Sequence, residues 1–153
     1  MSVELDDVDR AVIRALRGDG SLSAADVARR IGVAQPTAWR RMDRLQTAGI
    51  IGKRRVVLDA EKLGFGVTVL LGVKLAVRGR VGLEDFERAV TAIPEVVRVS
   101  HVLGLYDYRL KIMARDLVDF ERILRRRIMT LPGVGDVESN VLLSEEKNTG
   151  PLV

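Results

Sequence analysis

The residues after position 64 show an order of apolar patterns that few folds can satisfy. Every odd position from Phe65 to Val77 is apolar, which predicts a long strand with one buried face. Further strands are predicted at Val96–Leu103, Tyr108–Ala114 and Val137–Ser144. Helical spacing predicts two helices, with apolar faces at Leu83, Phe86, Val90 and Ile93, and at Leu117, Phe120, Leu124, Ile128 and Leu131. The strand-helix-strand-strand-helix-strand order predicts a ferredoxin-like βαββαβ domain, with an antiparallel sheet and both helices on one face.

The other face of this predicted sheet also carries apolar side chains. They alternate with Thr68 and Lys74 on the first strand, and the set comprises Leu70, Ala76, Val96, Val102 and Met113. A sheet face of this kind, which the helices leave open, needs a cover. We therefore expect it to pack against the sheet of a partner subunit.

Three short helices are predicted before this domain. Leu5–Leu16 has an apolar stripe at helical spacing, and Asp6 or Asp7 can cap it. Ser21 or Ser23 can cap a second helix, which ends at Gly32 because glycine provides the backbone freedom for a turn. A third helix begins at Gln35-Pro36, and its apolar face is Ala38, Met42, Leu45 and Gly49. The second and third helices together predict a helix-turn-helix.

The third helix carries most of the functional prediction. Arg40 and Arg44 are expected on the face opposite the apolar residues together with Thr37, with Trp39 and Arg41 on the flanks. A helix that is anchored by one face and presents arginine on the other suits insertion into the major groove of DNA. Either arginine can read guanine or contact only phosphate, since phosphate and sugar take at least half of such hydrogen bonds.

Basic residues are concentrated around this helix. Between Arg29 and Arg55 there are eight basic residues and one acid, so the segment carries a net charge of +7 against +4 for the whole chain. Such a patch is typical of proteins that bind the phosphate backbone, although a solvated basic surface has the same composition. Lys53–Leu58 is predicted as a strand, the wing of a winged helix-turn-helix that rests on the DNA backbone. The predicted DNA-binding residues are Gln35, Thr37, Arg40, Arg41, Arg44, Lys53, Arg54 and Arg55.

The 153 residues thus divide into an α+β arrangement of two small domains. A helix-turn-helix domain is expected at 1–51, a wing strand and linker at 52–64, and the ferredoxin-like domain at 65–153. With 47% hydrophobic residues the chain can build packed cores.

Several classes of protein are disfavoured by what the sequence lacks. There is no cysteine, so disulfides and thiolate metal sites are excluded, and a single histidine, His101, is expected to be a sheet residue and not a metal ligand. We find no nucleophile-base constellation and no nucleotide-binding glycine loop, so we expect no catalytic residues and no cofactor. The acidic N-terminus is no signal peptide, and the longest apolar run is too short to span a membrane. A cytoplasmic location without membrane contact is expected.

Two stretches carry a resemblance to a known family. The first is Ile31–Ile51, with the run Gln-Pro-Thr-Ala-Trp-Arg-Arg-Met-Asp-Arg-Leu at its centre, and the second is His101–Lys111, with the run Leu-Gly-Leu-Tyr-Asp-Tyr, followed by Leu131-Pro-Gly-Val134. Together and in this order they resemble the Lrp/AsnC family, the feast/famine transcription regulators of bacteria and archaea, across essentially the whole chain. The resemblance implies a homodimer formed by the second domain, often assembled into tetramers or octamers, and a small effector, commonly an amino acid, bound between dimers.

The resemblance also implies where that effector binds. The turn after the second strand, here Gly104, Leu105, Tyr106 and Asp107, is expected to form one side of the pocket. The last strand of a neighbouring subunit, here Val141, Leu142 and Leu143, is expected to contribute the other side. Amide groups of a tight turn can hold a carboxylate, and Asp107 can meet an ammonium group or simply cap the hairpin. The family usually has a polar residue where this chain has Leu105, which implies a different ligand, a weakly bound one, or none.

These observations predict a sequence-specific transcriptional regulator that binds double-stranded DNA and responds to a small effector. The alternative is a metabolite-sensing regulatory subunit of a metabolic enzyme. The segment with a net charge of +7 argues against this alternative, in which the basic residues would be incidental. A catalytic ferredoxin-like domain is disfavoured by the missing nucleophile.

Overall fold

The structure is a computed structural model that describes residues 4–76, 79–148 and 150. The described residues form two compact units, one within residues 4–57 and the other within residues 58–148. The first unit contains α1 (Asp7–Gly18), α2 (Ala24–Ile31) and α3 (Gln35–Thr47). The second contains β1 (Val67–Leu75), α4 (Arg80–Thr91), β2 (Val96–His101), β3 (Tyr108–Ala114), α5 (Leu117–Ile123), a π-helical turn (Leu124–Ile128) and β4 (Val134–Val141).

The helices of the first unit lie close to their predicted positions, although α1 is shifted by two residues from the predicted Leu5–Leu16. Asp6 caps α1 and Ser23 caps α2, each in a reciprocal hydrogen-bond pair with the acid three residues later. Gly32 ends α2 in the left-handed conformation, with φ of 72°. Ala34 precedes α3 without a side-chain cap, and proline occupies the first turn of that helix.

The three helices share one apolar core. The buried face of α3 is Ala38, Met42 and Leu45, which packs against residues of α1 and α2, whereas Gly49 of the predicted face lies beyond the end of the helix and is exposed. The other buried members are Val12, Ile13, Ala15, Val27 and Ala28. This core fixes which side of α3 faces the other two helices. The opposite side is left for the predicted contacts with DNA.

The predicted wing strand at Lys53–Leu58 does not form within one chain. Residues 52–58 form neither a helix nor a strand, and Val56 and Val57 are 84% and 94% exposed. A strand needs a neighbour to pair with its backbone N–H and C=O groups, and no described residue pairs with this segment. The β-branched sequence gives the segment a preference for strand structure, but the chain supplies no partner for it.

The second unit has the predicted ferredoxin-like topology. The sheet order is β2-β3-β1-β4, and each neighbouring pair is antiparallel. The odd positions of β1, namely Val69, Leu71, Val73 and Leu75, are buried beneath α4 and α5. Phe86 and Val90 of α4 and Phe120 and Ile123 of α5 complete the core with alternate residues of β3.

Details of β4 and β2 differ from the prediction, and one predicted position of the first strand lies outside the described residues. β4 begins at Val134 and ends at Val141, so each end lies three residues earlier than predicted. The prediction placed the strand too late because the sequence Gly133-Val-Gly135 resembles a turn. A bulge between Val96 and Arg98 turns Val96 toward the core, so it does not lie on the opposite face as expected. Val77, the last residue of the predicted first strand, lies outside the described residues.

Candidate nucleic-acid interface and effector region

The outward surface of α3 is centred on Arg40. Its side chain is exposed and makes no hydrogen bond or ion pair with another described residue. Trp39 beside it is 59% exposed, so this residue does not pack against a wing. Gln35 is exposed and Thr37 half-buried near the N-terminus of the helix. These side chains are among those of α3 that a DNA duplex can reach.

Arg44 has a side chain that is 44% exposed, but unlike Arg40 it is bound to groups of α1 and of the residues before α1. Its Nη1 lies 3.3 Å from Oδ2 of Asp9 on α1, and its Nη2 donates a hydrogen bond of 2.8 Å to the Glu4 carbonyl. Arg41 lies on the same side, with Nη1 2.7 Å from Asp6 and 3.3 Å from Oδ1 of Asp9. Four residues of helix span slightly more than one turn, so Arg44 is rotated from Arg40 toward the flank that faces α1.

Asp9 is the fully buried centre of this network. The Asp6 backbone N–H donates to Oδ2 of Asp9 at 3.2 Å, and the Asp9 N–H donates to Asp6 at 2.8 Å. The second of these bonds, with Arg41 in support, holds the pKa of the Asp6 carboxyl below its usual range. A buried carboxylate is tolerated only when it is paired, and here two arginines of α3 pair with it.

The other basic residues of the segment also differ in whether their side chains are bound to another group of the chain. Arg54 donates a hydrogen bond of 2.9 Å to the Leu22 carbonyl, whereas Lys53 and Arg55 are exposed without a partner among the described residues. Arg29 is paired with Asp26. The basic segment therefore offers fewer unoccupied cations than its composition predicts, and Arg40, Lys53 and Arg55 are among them.

The predicted effector turn is fastened to β1. Asp107 accepts a 2.8 Å hydrogen bond from the Leu75 N–H, and its own N–H donates to the Val73 carbonyl at 2.9 Å. Lys74 donates to the Leu105 carbonyl at 2.9 Å, which leaves the Leu105 side chain 71% exposed. The carboxylate of Asp107 thus has a fixed position at the end of the sheet.

A cavity of about 350 Å³ lies beside this turn. Gly104 and Asp107 line it together with His101, Leu75, Leu83 and Leu103. A Cβ atom at Gly104 would meet nothing within 4 Å, so no close approach within the chain requires glycine there. The cavity has an apolar wall and one fixed carboxylate, the features that an amino acid with an apolar side chain would use.

Val141, Leu142 and Leu143 do not approach this cavity within one chain. Val141 pairs with Val69, and the Leu142 N–H bonds to the Thr68 carbonyl, near the start of β1. The turn at residues 104–107 lies at the end of β1, about 20 Å away by strand geometry. Only a second subunit can bring the two predicted halves together.

The sheet face away from the helices, which we call the open sheet face, is formed by the even positions of β1 with their neighbours on β2, β3 and β4. It contains a groove of about 590 Å³ lined by Leu70, Arg98, Arg109, Lys111, Asn140 and Leu142, among others. Tyr106 lies across this face at Gly72, where an added Cβ would stand 2.8 Å from its ring. Arg109 stacks 4.9 Å from the ring centre. The pKa of the Tyr106 hydroxyl is raised, chiefly by its hydrogen bond to Glu138.

His101 and Tyr108 are sheet residues of the opposite face, as predicted. The His101 ring stacks on Tyr108 at 4.7 Å between ring centres. Tyr108 is buried and donates a 2.6 Å hydrogen bond to Glu87 of α4. Burial, with this bond in support, raises the pKa of the Tyr108 hydroxyl far above its ordinary value.

The part of the chain that the structure describes has neither a metal-binding cluster nor a membrane-spanning helix. No group of three or more histidine, aspartate or glutamate side chains is arranged to hold a metal ion there. None of the helices in the same residues has the length and apolar character needed to cross a membrane.

Comparison with known proteins agrees with this architecture. The family model of the AsnC-type helix-turn-helix domain matches residues 5–46, and that of the Lrp/AsnC ligand binding domain matches residues 68–152. The chain belongs to the Lrp/AsnC family. It is a transcriptional regulator of that family with a ligand-binding domain.

Individual Lrp/AsnC relatives match over nearly their whole length. Transcriptional regulator AzlB of Bacillus subtilis is 31% identical over 97% of this chain and 95% of its own. The proline dehydrogenase transcriptional activator of Rhizobium radiobacter is 33% identical over 96% of this chain and 94% of its own. Among solved structures, a transcriptional regulator of Neisseria meningitidis in complex with L-Met superposes with a TM-score of 0.91, at 26% identity, over 98% of this chain and 97% of that one.

Two residues of this Lrp/AsnC chain were missed by the sequence analysis. Asp9 stands at the third position of α1, where an acid is a sequence signal for a capping box. Gly72 falls at an open-face position of a predicted strand, where a glycine often marks close approach of another group. Both residues position side chains that the prediction named.

Proposed function

We propose that this regulator is a homodimer that binds double-stranded DNA through the outward face of α3 and binds an amino acid beside the turn at residues 104–107. The observation that carries the DNA proposal is Arg40, an exposed arginine without a partner at the centre of the outward face of a helix-turn-helix. A regulator that acts on the chromosome of a bacterium or archaeon works in the cytoplasm, which is therefore the proposed location.

Arg40 is proposed to reach base edges, while other side chains hold the backbone. Arginine donates two parallel hydrogen bonds to guanine, and such a pair discriminates by about 1–3 kcal/mol against the wrong base. Lys53 and Arg55 are exposed and unpartnered, which suits contacts to phosphate. Gln35 and Thr37, near the start of α3, are proposed to contact the phosphate or base edge next to the helix N-terminus.

Replacing Arg40 by alanine is expected to weaken DNA binding by about 5- to 150-fold, the equivalent of the 1–3 kcal/mol of a bidentate base contact. The measurement is fluorescence anisotropy of a labelled duplex from the regulator's own promoter, at several salt concentrations. The wild-type affinity should fall steeply as salt rises, because each neutralised phosphate contributes a slope of about −0.9 in log affinity against log salt.

Arg88→Ala is the matched control for this experiment. It removes the same charge from α4, where Arg88 is paired with Asp85 on the helix surface. Equal losses in the two variants would mean that net charge alone matters, and would contradict a specific role for Arg40. Wild-type binding that did not respond to salt would contradict the DNA proposal itself.

Two features support a homodimer. On the open sheet face the cations Arg98, Arg109 and Lys111 lie on β2 and β3, whereas the acids Asp136 and Glu138 lie on β4. A two-fold arrangement of two such faces can place the basic side of each over the acidic side of the other. Dimers are proposed to assemble further into tetramers or octamers.

The unpaired segment Lys53–Asp59 supports the same assembly. Paired antiparallel with its own copy about Val56, the segment would set Lys53 opposite Asp59 and Arg55 opposite Val57. A second chain would thereby supply the strand partner that one chain lacks, and would cover Val56 and Val57. The predicted wing would then be an element of the dimer.

The cavity beside the turn supports an amino-acid effector. Asp107 is held in place by the Leu75 N–H and can still accept a bond from an ammonium group. The similar regulator of Neisseria meningitidis was solved with L-Met, which supports the same chemical class here. Leu142 and its neighbours would close the cavity from another subunit, as the resemblance implies.

One amino acid is expected to raise the unfolding temperature of the protein, and Asp107→Asn is expected to abolish that rise. At a hundred times its Kd a ligand adds about 2.7 kcal/mol of stability. The amide of asparagine can still accept the bond from Leu75, so the variant loses the charge but keeps the hydrogen bond. Thermal unfolding with each amino acid in turn is the measurement.

Asp85→Asn provides the control, since it removes one carboxylate from the surface of α4 that neither lines the cavity nor lies on the open sheet face. A rise that persisted in Asp107→Asn would place the effector elsewhere. No rise with any amino acid would contradict the effector class and leave the DNA proposal unaffected.

A further inference from the structure

We propose that Asp9 withdraws Arg41 and Arg44 from DNA and so limits the number of phosphates that each helix-turn-helix contacts. Asp9 is then a positioning residue for specificity, because it determines which arginines of α3 are available. The inference rests on the proposed DNA binding. It reverses the expectation for Arg41 and Arg44, which composition places among the DNA contacts.

The geometry shows that both carboxylate oxygens of Asp9 are engaged. Oδ1 lies 3.3 Å from Nη1 of Arg41, and Oδ2 lies 3.3 Å from Nη1 of Arg44. Oδ2 also accepts the 3.2 Å bond from the Asp6 N–H. Asp9 is 0% exposed, so water cannot replace any of these partners without local opening.

This burial makes the two arginines poor competitors for phosphate. An arginine that left Asp9 for DNA would leave a buried carboxylate short of a partner, which is costly in a site without water. Arg44 would also give up its 2.8 Å bond to the Glu4 carbonyl, and Arg41 its 2.7 Å contact with Asp6. Arg40 has no such competitor among the described residues.

The consequence concerns specificity more than affinity. Phosphate contacts are the same on every sequence, so each additional one strengthens non-specific and specific binding alike. With Arg41 and Arg44 held by Asp9, a larger share of the binding energy of α3 comes from Arg40 and the base it can read. Asp9 thereby keeps the basic segment from binding all DNA equally.

The test measures the salt dependence of binding to a labelled duplex of random sequence, with the full-length protein. Asp9→Asn is expected to steepen the slope of log affinity against log salt by up to about 1.8 per helix-turn-helix bound, since two arginines lose their buried carboxylate partner and can turn to phosphate. Between 50 and 200 mM salt this adds roughly tenfold to the loss of affinity. Arg44→Gln is expected to leave the slope unchanged, whereas Lys53→Ala, which removes a proposed phosphate contact, makes it shallower by about 0.9.

Asp7→Asn is the matched control, because Asp7 is an exposed acid of the same first turn and the charge change is identical. An equal slope in Asp7→Asn and Asp9→Asn would overturn the inference. So would a slope that became shallower in Arg44→Gln, which still decides the matter if Asp9→Asn fails to fold. Partial unfolding lowers affinity equally at all salt concentrations and leaves the slope as it was. A wild-type protein without salt-dependent binding would instead refute the proposed function.

Discussion

Replacing Leu70 by arginine is expected to dissociate the proposed homodimer and to lower DNA affinity by about 10²- to 10⁴-fold. Leu70 is 40% exposed at the centre of the open sheet face, directly opposite Lys111 on β3 and Asn140 on β4. An added guanidinium there joins Arg98, Arg109 and Lys111 around one groove. In the monomer water solvates the new charge, but in a dimer it would be buried beside like charges.

The loss of DNA affinity follows from the loss of the second DNA-binding unit. Two linked modules gain about 10²–10⁴ in affinity over one, since the second contact is made at high effective concentration. Light scattering should give a multiple of the 16.9 kDa chain mass for the wild type and one chain mass for the variant. Anisotropy with the promoter duplex measures the affinity.

Leu117→Arg is the control, because Leu117 is 57% exposed on α5 and receives the same charge on the helix side of the sheet. A dimeric Leu70→Arg variant would show that the open sheet face is not the interface. A monomer in both variants would show only that added positive charge disperses the assembly.

The order of elements was predictable because the apolar periods are long and uninterrupted. Nine residues of β1 alternate with one face buried, and this strand lies in the middle of the sheet, where both neighbours enforce the pattern. The core of the helix-turn-helix was likewise readable from Ala38, Met42 and Leu45 at helical spacing. Local period and burial agree in all of these elements.

The orientation of Arg44 was not predictable in the same way. A helical projection shows which residues share a side of α3, but not which neighbouring element lies beside that side. Asp9 is 35 positions earlier in the chain, and nothing in the local pattern indicates that its carboxylate is buried against α3. Polar contacts between helices depend on packing, which the sequence period describes only for apolar residues.

The segment Lys53–Leu58 shows that a correct local preference for strand structure is not sufficient for a strand to form. Its β-branched residues favour strand structure, but propensity is realised only where a neighbouring strand completes the hydrogen bonds. The two predicted halves of the effector site do not meet within one chain for a related reason. Val141 and Asp107 lie near opposite ends of β1. Both features need a partner that a single sequence does not contain.

Replacing Phe86 by alanine is expected to destabilise the second unit by about 3–5 kcal/mol. Phe86 is fully buried, and its ring centre lies 4.7 Å from that of Tyr108 at the middle of the core beneath the sheet. The substitution removes the ring and leaves a cavity that neighbouring β-strands cannot close. Since a domain is stable by only about 5–15 kcal/mol, this is a large part of the total.

The chain offers separate reporters for its two units, which makes this prediction sharp. Its single tryptophan, Trp39, lies in the helix-turn-helix, whereas both tyrosines, Tyr106 and Tyr108, lie in the second unit. In Phe86→Ala the unfolding transition seen by tyrosine absorbance should move down by more than about 10 °C. Val118→Ala, at a residue 78% exposed on α5, should move it by little.

An unchanged tyrosine transition in Phe86→Ala would mean that this core is not the source of the unit's stability. If tryptophan fluorescence keeps its transition while the tyrosine transition falls, the helix-turn-helix is stable on its own core. The dimer and the effector cavity would then be lost before the DNA-binding surface.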